Sequence, residues 1–181
     1  MSWRLILAAI ISVLAAVTWN GRPAQAQGGE AAPAPSSFSQ YLRTNGYSLS
    51  EAEVSYLDAD ERAQAVYSLG IMNVDLLSRV PPEQQNDQWR QALVEELTRL
   101  AQADPSAAPP APPTLQRLRE LAIAHRAHIQ RAAQQWLAAV QAGDPDWMQR
   151  GGDEFRAAGE GFGDWQQELM ARFPPPAQAQ P

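Results

Sequence analysis

Two histidines are the residues whose type and spacing point most directly to chemistry. His125 and His128 are the only histidines among 181 residues, and a separation of three places them on one face of a helix. Two imidazoles so arranged can share a metal ion, and a facing carboxylate would complete a His₂-carboxylate site for zinc or a similar ion. A helix that turns back after residues 143–145 brings Glu160 and Asp164 about level with them, since helices rise about 1.5 Å per residue. These four residues are the candidate metal ligands.

The same histidines have a plainer interpretation. In an alanine-rich helix interface, histidines often bond a nearby carboxylate or backbone group, and the four-helix pattern with Glu-x-x-His supplied twice is missing from this sequence. Acid pairs are candidates for general acid and base, but charge at a helix start explains Asp58 with Asp60, and solvated surface explains Asp153 with Glu154.

Motifs of the common enzyme classes are missing as well. The sequence has no Ser-His-Asp order with a glycine elbow, no phosphate-cradling glycine loop after a strand, and no cysteine to act as a nucleophile. We therefore expect a protein that is not an enzyme and that needs no cofactor.

Large aromatic residues form a second candidate site. Trp147, Phe155, Phe162 and Trp165 recur at helical spacing and would line an apolar groove for a pigment, a lipid or a helical peptide. Core packing explains the same spacing with fewer assumptions, because large aromatics at helical intervals are ordinarily interior. Any part of the stripe left exposed would mark a partner-binding site.

Residues 114–173 predict a long antiparallel helical hairpin that would position both candidate sites. Apolar residues from Leu118 to Val140 recur in steps of three and four, with polar residues such as Arg126 at the wet positions between them. Gly143 suits a left-handed helix end, and Asp144-Pro145 suits the cap and first turn of the next helix. The second arm repeats the spacing until the prolines that begin at residue 174.

Glycines are unusually frequent in the second arm. Each costs roughly 1 kcal/mol relative to alanine inside a helix, so packing must compensate if the arm is a single helix. Matching levels across the turn places Gly152 opposite Trp136, where a glycine would leave a slot for the indole. In the alternative interpretation, Gly159 to Gly163 form a flexible joint between two shorter helices.

Residues 37–103 predict a helical region of short pieces followed by one longer helix. Helix starts are indicated at Ser37, at Ser48 or Ser50, at Asp58 or Asp60, and at Asn73, and stops at Gly46 and Gly70. A convincing helix then spans about residues 83–103, with Trp89, Leu93, Leu97 and Leu100 on one stripe. The proline-rich linker 104–113 joins it to the hairpin, on which we expect it to dock. With no strand signal, the fold class is all-α: a small helical bundle with disordered termini.

The N-terminal segment of the chain indicates export. Residues 1–26 have the charged start, apolar run and Ala-Gln-Ala box of a signal peptide, with cleavage expected after Ala26. A membrane contact would arise only if this segment stayed uncleaved. Residues 27–36 and 174–181, rich in proline and alanine, predict a disordered tether and tail.

Charge and cysteine content bound the partners. Every one of the fourteen basic residues is arginine, and loss of Arg4 and Arg22 with the leader leaves twelve against twenty acids, a net charge of −8. Such a balance argues against nucleic-acid binding. Without cysteine the chain has neither disulfides nor a lipid-anchored cysteine.

These observations lead to two functional hypotheses. The first is an exported, periplasmic or extracellular, non-catalytic helical protein that binds an unknown protein partner, or itself, or that packs into an envelope assembly. The alternative is a small-ligand or metal-binding bundle centred on His125 and His128.

Overall fold

The chain folds as an all-α bundle, as predicted. The computed structural model describes residues 37–144, 146–160 and 162–174, without the side chains at 159 and 160. The helices are α1 (Phe38–Thr44), α2 (Glu51–Ser78), α3 (Asp87–Gln102), α4 (Gln116–Ala142), α5 (Trp147–Glu160) and α6 (Phe162–Arg172), with 3₁₀ turns at Pro82–Gln84 and Pro113–Leu115. The predicted leader, the tether, the tail from residue 175, and positions 145 and 161 lie outside the described residues.

Helix α4 is the centre of the bundle, because α2, α3, α5 and α6 all contact it. The predicted hairpin is confirmed: α4 ends at Gly143, whose φ of 68° is left-handed, and the chain then returns along α4. Asp144 accepts a hydrogen bond from the Asp146 backbone N–H at 2.9 Å, just before α5. The returning arm is helical on both sides of residue 161, as α5 and α6. Because residue 161 lies outside the described residues, the choice between one helix and a joint at Gly159 to Gly163 stays a prediction.

The prediction of short N-terminal helices is wrong for residues 51–78. They form one helix of 28 residues that begins after Ser50, one of the two starts indicated there by the sequence, where Ser50 and Glu53 form a capping box. Gly70 does not end the helix. It lies where α3 packs closely against α2, and a Cβ at this position would overlap the Leu100 side chain of α3. Asn73 likewise lies within the helix. Local start and stop signals were overridden here by packing against the rest of the bundle.

Helix α3 docks on the hairpin, as predicted. Its apolar stripe, from Trp89 to Leu100, is buried against α4 and α2. The Trp89 indole N–H donates to the Leu77 carbonyl at 2.9 Å, and Arg90 donates to the Val140 carbonyl at 3.1 Å. The helix starts later than expected, since Asn86 caps it and residues 82–84 form a 3₁₀ turn.

A glycine does make room for the Trp136 indole, but it is Gly151 and not the predicted Gly152. A Cβ built on Gly151 would overlap the indole ring, whereas one on Gly152 would meet nothing within 4 Å. Level matching fixes the position along the helix axis only, and neighbouring residues differ by about 100° around that axis. Gly151 is the residue that faces α4.

The described residues form two hydrophobic core clusters. The turn cluster, near the Gly143 end of the hairpin, is built from α2, α3, α4 and α5 around Leu97, Ile129 and Trp136. The terminal cluster, at the other end, is built from α1, α2, α4 and α6 around Leu42 and Leu118. No helix in the described part of the chain is both long and apolar enough to span a membrane.

Candidate functional site

A buried polar layer separates the two clusters. Arg126 of α4 is fully buried and forms an ion pair with Asp60 of α2. Arg126 also donates to the Asp60 carbonyl at 3.3 Å, to the Gln64 side-chain oxygen at 3.2 Å, and to the Pro105 carbonyl at 3.5 Å. One guanidinium therefore ties together two helices and the proline-rich linker.

Two predictions from the sequence are corrected by this layer. Arg126 was assigned to the wet face of α4, and Asp60 to a helix start, yet both are buried in mid-helix. The signal was present in the spacing: Arg126 follows Ala122 by four and precedes Ile129 by three, which places it on the dry stripe. What could not be seen was the carboxylate, 66 residues away, that makes its burial tolerable.

The electrostatics of the layer follow from its burial. Removal from water raises the pKa of Asp60, while the Arg126 charge opposes that shift. Burial likewise raises the pKa of Tyr67 to about 12 and that of Tyr56 further still. Both phenols stay protonated at neutral pH, and both hydroxyls are buried with no hydrogen-bond partner among the described residues.

His125 lies beside this layer, between α4 and the returning arm. Its ring is 5.2 Å from that of Phe162 and only 5% of the residue is exposed. Burial lowers the pKa of His125 to about 4; a hydrogen bond with the Ala158 backbone opposes the shift, and the neighbouring Arg126 charge adds to it. The ring is therefore neutral at pH 7, with a buried Nδ1 that has no partner in the described part of the chain.

The predicted metal ligands are only partly tested by this geometry. His125 is buried, His128 is half-buried and Asp164 is exposed, while the side chain of Glu160 lies outside the described residues. Among the side chains that are described, no three histidine or acidic groups are placed to hold one ion. The His₂-carboxylate site stays a prediction.

The four predicted partner-binding aromatics are all half-buried, and they divide into two pairs. Trp147 and Phe155 pack around Trp136, with ring centroids 6.4 and 5.4 Å from its own. Phe162 and Trp165 stack on each other at 5.2 Å. Interior packing accounts for much of their surface, and a role for them in partner binding stays a prediction.

Among the described residues, the most exposed apolar surface lies elsewhere, on α2, and sequence reasoning missed it. Of the five large apolar side chains that are exposed in the described residues, four lie on one face of this helix. These are Val66 (40% exposed), Leu69 (38%), Met72 (49%) and Leu76 (59%), which we call the α2 stripe. The opposite face of this 28-residue helix carries Tyr56, Tyr67 and Val74, so the helix has more apolar residues than one buried face explains. That excess was the signal in the sequence for a second apolar face.

A shallow groove borders the α2 stripe where α2 meets α3. It is lined by Asn73, Leu76 and Leu77 of α2 and by Ala92, Glu95 and Glu96 of α3. The stripe and the groove adjoin at Leu76, and Glu95 and the Glu96–Arg99 ion pair lie along the α3 edge. Comparison with protein-family models, with curated proteins and with solved structures gave no match.

Proposed function

We propose that this chain is an exported, non-catalytic helical protein that works by binding another protein chain through the α2 stripe. One observation carries the proposal: four large apolar side chains stand 38–59% exposed on the same face of one helix. Their exposed area amounts to roughly 300–400 Å², comparable with the largest apolar patch on a typical monomer, which is often a binding surface.

The fold supports an interaction role in a second way. Helix α2 is held on its inner face by the Arg126 ion pair and by the docking of α3, so its outer face is presented on a rigid element. Rigid presentation lowers the entropy cost of binding. The charged groups at the centre of the bundle are engaged with one another, which favours a structural role for them. Export is supported by the leader pattern of residues 1–26.

Co-purification from the native envelope fraction tests the proposal. A tagged mature chain is compared with its Leu76→Arg variant, which places a charge where the stripe meets the groove, and with Gln135→Arg at an exposed position of α4. We expect a bound protein with the unaltered chain and with Gln135→Arg, and its loss with Leu76→Arg. Equal recovery with all three, at equal stability in urea, would refute binding through the stripe.

A metal-binding role is a second candidate, because His125 is neutral and has a buried Nδ1 without a partner among the described residues. Metal analysis of the purified mature chain, with and without His125→Ala, tests it. Stoichiometric metal that is lost in the variant would support this function, and no metal in either form would exclude it.

A further inference from the structure

Three residues of the α2 stripe, together with Asn73, have the spacing of a short coiled-coil seam. Val66, Leu69, Asn73 and Leu76 follow one another at intervals of three, four and three residues, and these intervals alternate between the a and d positions of a heptad. Asn73 occupies an a position between apolar neighbours. We propose that the partner of this surface is a second copy of the same chain, and that the two α2 helices pack in parallel with Asn73 against Asn73. The inference rests on the proposed function and names its partner.

Asn73 favours a second copy of the chain as the partner and a parallel arrangement of the two α2 helices. Its side chain is half-buried at the edge of the groove, and its amide makes none of the side-chain hydrogen bonds between the described residues. An amide can both donate to and accept from an identical amide, so two copies of Asn73 satisfy each other. In a parallel pair, with the two-fold axis along α2, the a positions of the two helices face each other and Asn73 meets Asn73. In an antiparallel pair Asn73 would face Leu69, and its amide would be left without a hydrogen-bond partner.

Met72 and the groove are complementary in the same arrangement. Met72 takes the g position beside the seam, and Leu77 takes an e position. In a parallel pair, g of one helix faces e of the other. The half-exposed Met72 of each copy then meets the groove beside Leu77 and Ala92 of the other, and an unbranched thioether fills such an irregular space well. Because the symmetry makes this contact twice, one surface provides both the knob and the groove.

The size and charge of the surface indicate how tightly the two copies associate. The four exposed apolar side chains contribute only about 300–400 Å² per copy, against ~800 Å² of total surface per partner in a standard stable interface, so we expect a dimer of the weak, reversible class. A net charge of −8 on each mature chain adds repulsion that salt screens over a Debye length of about 10 Å at 0.1 M. We therefore expect weak association that becomes stronger as salt rises.

A cross-linking experiment tests the arrangement directly, because the natural chain contains no cysteine. Asn73→Cys in the mature chain places two thiols across the two-fold axis, within the ~4.4–6.8 Å Cα separation that a disulfide requires. We expect a disulfide-linked dimer on mild oxidation that exceeds, by at least about tenfold, the dimer formed by the matched control Gln135→Cys on α4. The Leu76→Arg substitution added to Asn73→Cys should abolish the excess.

Sedimentation of the cysteine-free mature chain gives an independent readout. Between about 5 and 500 µM we expect a reversible shift from monomer to dimer, larger at ~0.3 M than at ~0.02 M salt and lost in Leu76→Arg. A monomer throughout, with no excess cross-linking at residue 73, would overturn self-association. Dimers that cross-link equally at residues 73 and 135 would overturn this interface. A monomeric chain that still recovers an envelope protein through Leu76 would overturn only the second copy, and a chain that does neither would end the proposed function as well.

Discussion

Replacing Arg126 by methionine would leave the carboxylate of Asp60, which is 4% exposed, without its cation. The side chain of Gln64 would lose the same donor. Removing one partner of a buried ion pair costs about 3–5 kcal/mol, because the remaining charge is uncompensated. A loss of this size is a large part of the ~5–15 kcal/mol that stabilises an ordinary domain. We therefore expect Arg126→Met to lower the free energy of unfolding by about 3–5 kcal/mol at pH 7.

A double variant separates the charge effect from simple loss of packing. Asp60→Leu combined with Arg126→Met removes both charges and keeps apolar volume, and such replacements are often neutral or stabilising. We expect the double variant to recover at least about 2 kcal/mol of the loss caused by Arg126→Met. Arg117→Met is the matched surface control: it breaks the exposed pair with Glu120 and should cost less than about 0.5–1 kcal/mol.

Urea unfolding followed by circular dichroism and tryptophan fluorescence measures these differences, at pH 7 and at pH 5. Burial already raises the pKa of Asp60, and loss of the Arg126 charge raises it further. A carboxyl whose pKa is raised by folding favours the folded state at low pH and loses that contribution as pH rises through the raised value. Arg126→Met should therefore be less destabilising at pH 5 than at pH 7. A single variant that costs under about 1 kcal/mol, or a double variant as unstable as the single, would refute the argument.

Two further predictions concern packing and pH. Gly151→Ala should destabilise by about 1–3 kcal/mol because its methyl group overlaps the buried Trp136 ring, whereas the adjacent Gly152→Ala should stabilise by up to about 1 kcal/mol; thermal unfolding of both compares them, and equal effects would contradict the assigned facing. The Ser50 backbone N–H, followed by the Thr114 hydroxyl, holds the pKa of Glu53 at about 2, below its ordinary 4.5. Its contribution is present above pH 4.5 and is lost as pH falls toward 2, so Glu53→Gln should cost about 1–3 kcal/mol at neutral pH and almost nothing near pH 2. A constant difference between acid and neutral unfolding curves would contradict this.

Features that depend on neighbours along the chain were predictable. The hairpin turn follows from a left-handed position at Gly143, and the start of α2 from the reciprocal Ser50 and Glu53 capping box. The docking of α3 was predictable too, because the stripe around Leu93 and Leu97 needed an apolar surface to cover it. Each of these inferences uses contacts within about one helical turn or a single burial requirement.

Tertiary structure decided the rest. Three features depend on residues far away in the sequence. Gly70 lies within a helix because α3 packs closely against it, Gly151 and not Gly152 faces the Trp136 indole, and Arg126 is buried beside Asp60. The sequence by itself determined the all-α class, the hairpin turn and the cap at which α2 begins, because backbone hydrogen bonds and caps are local. It could not determine which helix faces find partners, since the cost of burying a charge or exposing a leucine depends on what the folded chain places beside it.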